Sequence, residues 1–374
     1  MSETPEGEQN QPQQSQPQQN QPRQQDQTHD ANQPNQADTP METPTTGSPA
    51  DKAGEAAAQT PSQSVPTPSP ASASQPQDTA TSAAPTKSSG QVVSSKRGTA
   101  RSIHYDLSYV VVNESAGPRG AIVLLHDLPG GAFVWDSVMP QLAATGHAVY
   151  AFDMLGYGQS AHPWPSDTSV WGHADALLYA FQGLKLREIT LVGIGQGAAV
   201  AQVLANRLFR DQVARLALLN SYAFLTAFAP NWPMSDMAKR QDPEAPHHID
   251  TKDVLNDLRA GLPNGSARPK SLSSDRIAAY VNEWDSEIGK QMLYQHIRQM
   301  IPNYTNSVAT DNAKLEIPVL LLWGAQDTVT PPALGERLRD EISGAQFEVI
   351  ANAGHLLLED APGEVGRRLA DFAR

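Results

Sequence analysis

The chain has 374 residues, a formal charge of −13 and no cysteine. The missing cysteine excludes disulfides, thiolate catalysis and cysteine-ligated metal. The acidic charge, spread along the chain, argues for solubility and against nucleic acid or anionic membranes as partners.

Residues 1–99 are dominated by Gln, Pro, Ser, Thr and Ala, and the first aromatic residue is Tyr105. Such a segment cannot offset about 1–2 kcal/mol of backbone ordering entropy per residue, so a long disordered N-terminal tail is expected there. The tail reads as a solubilising spacer or as a docking arm for a protein partner. The opening Met1-Ser-Glu-Thr-Pro lacks the basic and apolar regions of a secretory signal. Nothing later offers about 18 uninterrupted apolar residues for a membrane span, so the expected location is cytoplasmic.

Residues 100–374 hold every aromatic and suffice for one large α/β domain with an insertion. Residues 103–112 read as one or two edge strands. Near-continuous apolar runs follow at 121–125, 147–152, 188–193, 213–219, 317–323 and 346–350. Runs of this kind fit strands covered on both faces of a parallel sheet. Helical patterns at 135–145, 173–185, 197–209 and 362–374 alternate with them. The result is a doubly wound, mostly parallel sheet. The interval 222–311 breaks the rhythm with Pro230, Pro233, Pro243, Pro246, Pro263 and Pro269 among helix-like pieces, then a long helical stretch from Ser274 to Met300. It reads as an inserted helical cap.

The most informative segment runs from Glu188 to Ala201: an apolar strand, a glycine-rich turn and a small-residue helix start. It has the form of the nucleophile elbow GxSxG, with Gly195 where the nucleophile belongs. Gly193, Gly195 and Ala198 also satisfy the dinucleotide fingerprint GxGxxG/A. That fingerprint needs a carboxylate about 20 residues on, where this chain has Leu219-Asn220, so no cofactor is expected.

Four segments in order resemble the α/β-hydrolase superfamily, particularly its capped members related to epoxide hydrolases and dehalogenases. They are His126-Asp127-Leu128-Pro129, the elbow at Gly195, Gly324-Ala-Gln-Asp327 and Asn352-Ala-Gly-His355; Asp153-x-x-Gly156-x-Gly158-x-Ser160 matches a further family turn. The resemblance implies an α/β-hydrolase fold, an acid at Asp327, a base at His355, and oxyanion donors at the amides of Leu128 and Gln196. Asp127 departs from the family glycine; a carboxylate beside an oxyanion site opposes developing negative charge. His126 is expected to brace its loop. His162, His173, His247 and His248 show no metal-ligand spacing and read as solvated, and no metal site is expected. Ser221, just after the sixth strand, is a conceivable substitute nucleophile, while Trp135, Phe133, Trp232 and Trp284 are candidates to line an apolar pocket under the cap.

Three functions remain open at this stage. The first is a non-catalytic homologue that binds an apolar small molecule or a protein partner. The second is an enzyme using His355 and Asp327 as a general base without a covalent intermediate. The third is a hydrolase of an ester or related bond with an unorthodox nucleophile.

Overall fold

The computed structural model describes residues 94–225, 229–230, 232–235, 253–300 and 311–374. The tail expectation for residues up to 93 lies outside these residues, as do His247 and His248. The chain forms an eight-stranded sheet in the order β1-β2-β4-β3-β5-β6-β7-β8. Its strands are β1 (Ser95–Arg101), β2 (Asp106–Val112), β3 (Ile122–Leu125), β4 (Val149–Phe152), β5 (Ile189–Ile194), β6 (Val213–Leu219), β7 (Val319–Gly324) and β8 (Gln346–Ile350). The first two are antiparallel to their neighbours and the rest run parallel.

The six apolar runs become β3 to β8, and every residue of β3, β4, β5 and β7 is buried. β1 corrects the expected tail boundary. Its sequence, SKRGTAR, has almost no apolar content, yet it pairs with β2 along its whole length. Arg97 adds an ion pair to the buried Asp153 at 2.7 Å and a hydrogen bond to Ser108. An edge strand held by ladder bonds and one buried charge gives no hydrophobic signal.

Helices cover both faces: α1 (Met139–Ala143), α2 (Val170–Gly183) and α3 (Gln196–Val203) in the first half. Between β6 and β7 lie α4 (Val254–Gly261), α5 (Ser274–Val281) and α6 (Glu287–Gln299), and α7 (Pro332–Glu341), α8 (Leu357–Asp360) and α9 (Pro362–Ala373) close the chain. The predicted helix from 274 to 300 is therefore two helices. Ser286 caps the second by accepting from the Gly289 amide, and a 3₁₀ turn at Asn282–Trp284 separates them. α2 begins earlier than its pattern suggests, at the Ser169 cap.

The helices between β6 and β7 seat on the loops at the carboxyl ends of the strands. Trp284 donates to the Pro129 carbonyl, Gln295 and Gln299 bind Ser166 and Thr168, and His296 stacks on Tyr157 at 4.1 Å. Among the described residues no helix is long and apolar enough to cross a membrane.

Candidate active site

The turn after β5 has the conformation that its glycines suggest. Gly195 adopts φ +54° and ψ −114°, a region that L side chains rarely enter. The following residues start α3, so the Gln196 amide points out of a helix N-terminus. Across from it, His126 braces the loop after β3. Its Nε2 accepts from the Met154 amide at 3.0 Å, which leaves Nδ1 to donate to the Asp127 carbonyl at 2.9 Å. Burial holds this imidazole neutral, below its ordinary pKa, against the opposing pull of Asp127 and Asp153.

Asp127 sits inside the oxyanion site instead of beside it, which corrects the reading of its side chain as a neighbour to that site. Its Oδ1 accepts from both candidate oxyanion amides, Leu128 at 2.8 Å and Gln196 at 2.7 Å. Its Oδ2 accepts from the Tyr222 hydroxyl at 3.0 Å and lies 3.1 Å from His355 Nε2. The amides of Leu128 and Gln196, read from the sequence as donors open to a ligand, are thus engaged by the protein itself. The carboxylate also explains the glycine. A Cβ at position 195 would lie 2.0 Å from Asp127 Cγ, far inside any real contact. A side chain at 195 and this carboxylate occupy one space.

His355 is brought to Asp327 as the pattern implies, with Nδ1 2.9 Å from Oδ2. Asp327 is itself fixed: Oδ1 accepts from the amides of Val329 and Thr330, and Oδ2 accepts from the Thr330 hydroxyl at 2.7 Å. The histidine therefore lies between two carboxylates, its side chain 1% exposed. Burial alone would strip its proton. Asp327 and Asp127 outweigh that penalty and raise the pKa to about 10. The two acid side chains thus favour the imidazolium form of His355.

Several expectations about neighbouring side chains need revision. Ser221 is buried, and its hydroxyl accepts from the Gln202 side chain and from the Ala223 amide. The residue after β6 that does reach the centre is Tyr222, which also stacks on His355 at 5.7 Å. Trp135 belongs to the hydrophobic core and does not line the chamber by Asp127. Trp232 packs edge-on against His355 at 5.1 Å, and Phe133 packs against Tyr280. His173 is fully buried instead of solvated, 5.5 Å from His296, and burial lowers its pKa to about 3.

Asn220 follows β6 at the carboxyl ends of the strands. It joins three loops: Nδ2 donates to the carbonyls of Gly354 and His355, and Oδ1 accepts from the Gly324 amide. Asp360 accepts from the Gly354 and Ala267 amides and so ties the His355 loop to the inserted segment. Among the described residues no group of three or more His, Cys, Asp or Glu is placed to hold a metal ion.

A family model for the α/β-hydrolase fold matches residues 120–362. The chain belongs to the α/β-hydrolase family. An epoxide hydrolase of Mycobacterium tuberculosis is 25% identical over 297 residues, covering 69% of this chain and 92% of that protein. A haloalkane dehalogenase of Psychrobacter cryohalolentis is 26% identical over 300 residues, covering 72% and 92% respectively. Among solved structures, an α/β-hydrolase fold protein of Burkholderia ambifaria superposes with a TM-score of 0.65 at 25% identity, covering 73% of this chain and 97% of its own.

Proposed function

We propose that this α/β-hydrolase is an enzyme whose nucleophile is the Asp127 carboxylate, entering the elbow's space from the neighbouring loop in place of a side chain at 195. One observation carries this reading. A single carboxylate has one oxygen on the two amides of an oxyanion hole and the other within 3.1 Å of a histidine backed by an acid. The similarity to an epoxide hydrolase and a haloalkane dehalogenase suggests an electrophilic carbon as the target.

The reaction follows from the geometry. Oδ2 leaves one of its two donors and attacks a carbon bearing a leaving group, forming an ester with Asp127 as the leaving group departs with the bonding pair. Esterification removes one of the two negative charges beside His355, so the imidazolium passes its proton to the departed group, directly or through water, and becomes a base. His355 then takes a proton from water as the water attacks Asp127 Cγ. The oxyanion forms on Oδ1, already seated on the Leu128 and Gln196 amides. Collapse expels the product alcohol, which takes the proton from His355; the Asp127 carboxylic acid left behind then passes its remaining proton to His355, restoring the carboxylate and the imidazolium. The Asp327 carboxylate steadies the imidazolium throughout. A general-base mechanism without a covalent step fits less well, because both ring nitrogens of His355 face carboxyl oxygens, Asp327 at 2.9 Å and Asp127 at 3.1 Å, and neither faces a water or substrate proton.

The second reading is a closed, non-catalytic site. Two contacts on each oxygen satisfy the whole carboxylate, and the adjoining chamber holds only about 20 Å³. Under that reading Asp127 is a permanent stopper.

Mass spectrometry separates the two. With propylene oxide as electrophile, a His355→Gln variant accumulates an adduct on the peptide containing Asp127. Wild-type protein turning over in oxygen-18 water acquires the label in that carboxylate. A folded protein that gives neither adduct nor label under any electrophile tried rules out the nucleophile and leaves the stopper.

A further inference from the structure

The chamber beside Asp127 and His355 has space for about one water molecule. Apart from those two residues its walls are apolar or aromatic among the described residues, with Leu128, Val134, Ile194 and Leu357 on the core side. Among the described residues, Tyr280, in the last turn of α5, is the wall residue from the inserted helices.

Its ring is held on three sides. It meets Phe133 edge-on at 4.9 Å, and it lies so close to Gly130 that a Cβ there would sit 3.3 Å from Tyr280 Cε1. The hydroxyl donates to Glu359 Oε1 at 2.7 Å. The same oxygen takes the Arg276 Nε–H at 2.8 Å, and Arg276 donates onward to the Phe133 carbonyl. The Arg276 and Glu359 side chains are 25% and 12% exposed, so this clamp lies nearer the surface than the His355 and Asp327 pair, at 1% and 0%.

We infer that Tyr280 is a specificity-determining gate. Its ring limits access to Asp127 to small apolar groups, so the reacting end of the substrate carries little more than a methyl or methylene beside the electrophilic carbon. The chemistry rests on the nucleophile reading above, whereas the gate rests on the chamber alone, and the two are tested apart.

The gate is tested with benzene, followed through the His355 ring resonances. Wild-type protein shows no saturable shift, and Tyr280→Ala shows one. Tyr280→Leu, which disturbs packing less, shifts in the same direction if the alanine variant fails to fold. Folded variants that refuse benzene, or a wild type that admits it, overturn the gate. Labelling of Asp127 then tests size selection: propylene oxide reacts with all forms, and styrene oxide reacts at least about tenfold faster with the opened variants. Equal styrene oxide rates in wild type and variants overturn the gate. Variants that bind benzene yet resist both epoxides overturn the nucleophile and leave the gate standing.

Discussion

Gly195→Ser is the most direct probe of the exclusion between positions 195 and 127. The new Cβ lands 2.0 Å from Asp127 Cγ and 2.2 Å from both carboxylate oxygens. A side chain at φ +54° costs about 1–3 kcal/mol by itself. Overpacking adds about 1–3 kcal/mol if Asp127 stays. If it swings away instead, the amides of Leu128 and Gln196 lose a buried acceptor at about 1–3 kcal/mol each. The cheaper route sets the cost, so the single variant should lose about 2–6 kcal/mol, a large part of the roughly 5–15 kcal/mol that holds a domain folded. Asp127→Gly breaks a buried charge network and should lose about 3–5 kcal/mol. If the two changes were independent, the double variant would lose the sum. Steric exclusion predicts that the clash disappears in the double variant, which should be at least about 2 kcal/mol more stable than the sum. Urea denaturation with matched slopes measures this. Removing Asp127 also frees both oxyanion amides and lowers the His355 pKa, so only the double variant should release nitrophenol from p-nitrophenyl acetate. A coupling within about 0.5 kcal/mol of zero would refute the shared-space argument.

Other consequences concern charge and positioning. The folded-state pKa of His355 is raised to about 10, so its stabilising contribution is complete below about 6.5 and is lost as pH rises from there through 10. Urea midpoints should fall over that interval, and Asp127→Asn should flatten the fall. His173 behaves in the opposite sense. Its pKa is lowered to about 3, so stability drops as pH falls from about 6.5 toward 3, and His173→Phe should remove part of that acid limb in the same assay. Asn220→Ala should lower the His355 pKa, read from its ring resonances, by loosening the loops of Gly324 and His355 that one amide joins; an unchanged pKa in a folded variant would make Asn220 merely structural.

Much of the sheet was legible because its strands are buried on both faces, and burial of that kind leaves continuous apolar runs. β6 and β8 have the same bounds in the sequence pattern and in the structure. β1 was not legible because ladder bonds and Arg97 hold it, and neither leaves a hydrophobic pattern. The burial of His173 is written in the helix periodicity. Val170, His173, Ala174, Leu177, Ala180 and Phe181 all lie on the buried face of α2, at the spacing of an amphipathic helix. The acid and the histidine were recognisable because each stands in a loop with its own motif. Tyr222 has no motif, and only the fold shows that it turns toward Asp127 while Ser221 turns to Gln202.

The sequence departures at 127 and 195 appeared to be two separate losses, one removing a nucleophile and one spoiling an oxyanion site. In three dimensions they are one exchange, because the glycine makes room for the carboxylate and the carboxylate fills the donors that the elbow organises. The exchange also alters the histidine. A serine hydrolase needs its imidazole neutral at rest, since the base must take the serine proton first. A carboxylate nucleophile has no proton to give up, so an imidazolium at rest is compatible with attack once it releases Oδ2. The base is needed only after esterification, when the charge that held the proton has gone. The raised His355 pKa, which opposes a serine-type mechanism, is therefore what a nucleophile placed at Asp127 requires the resting site to tolerate.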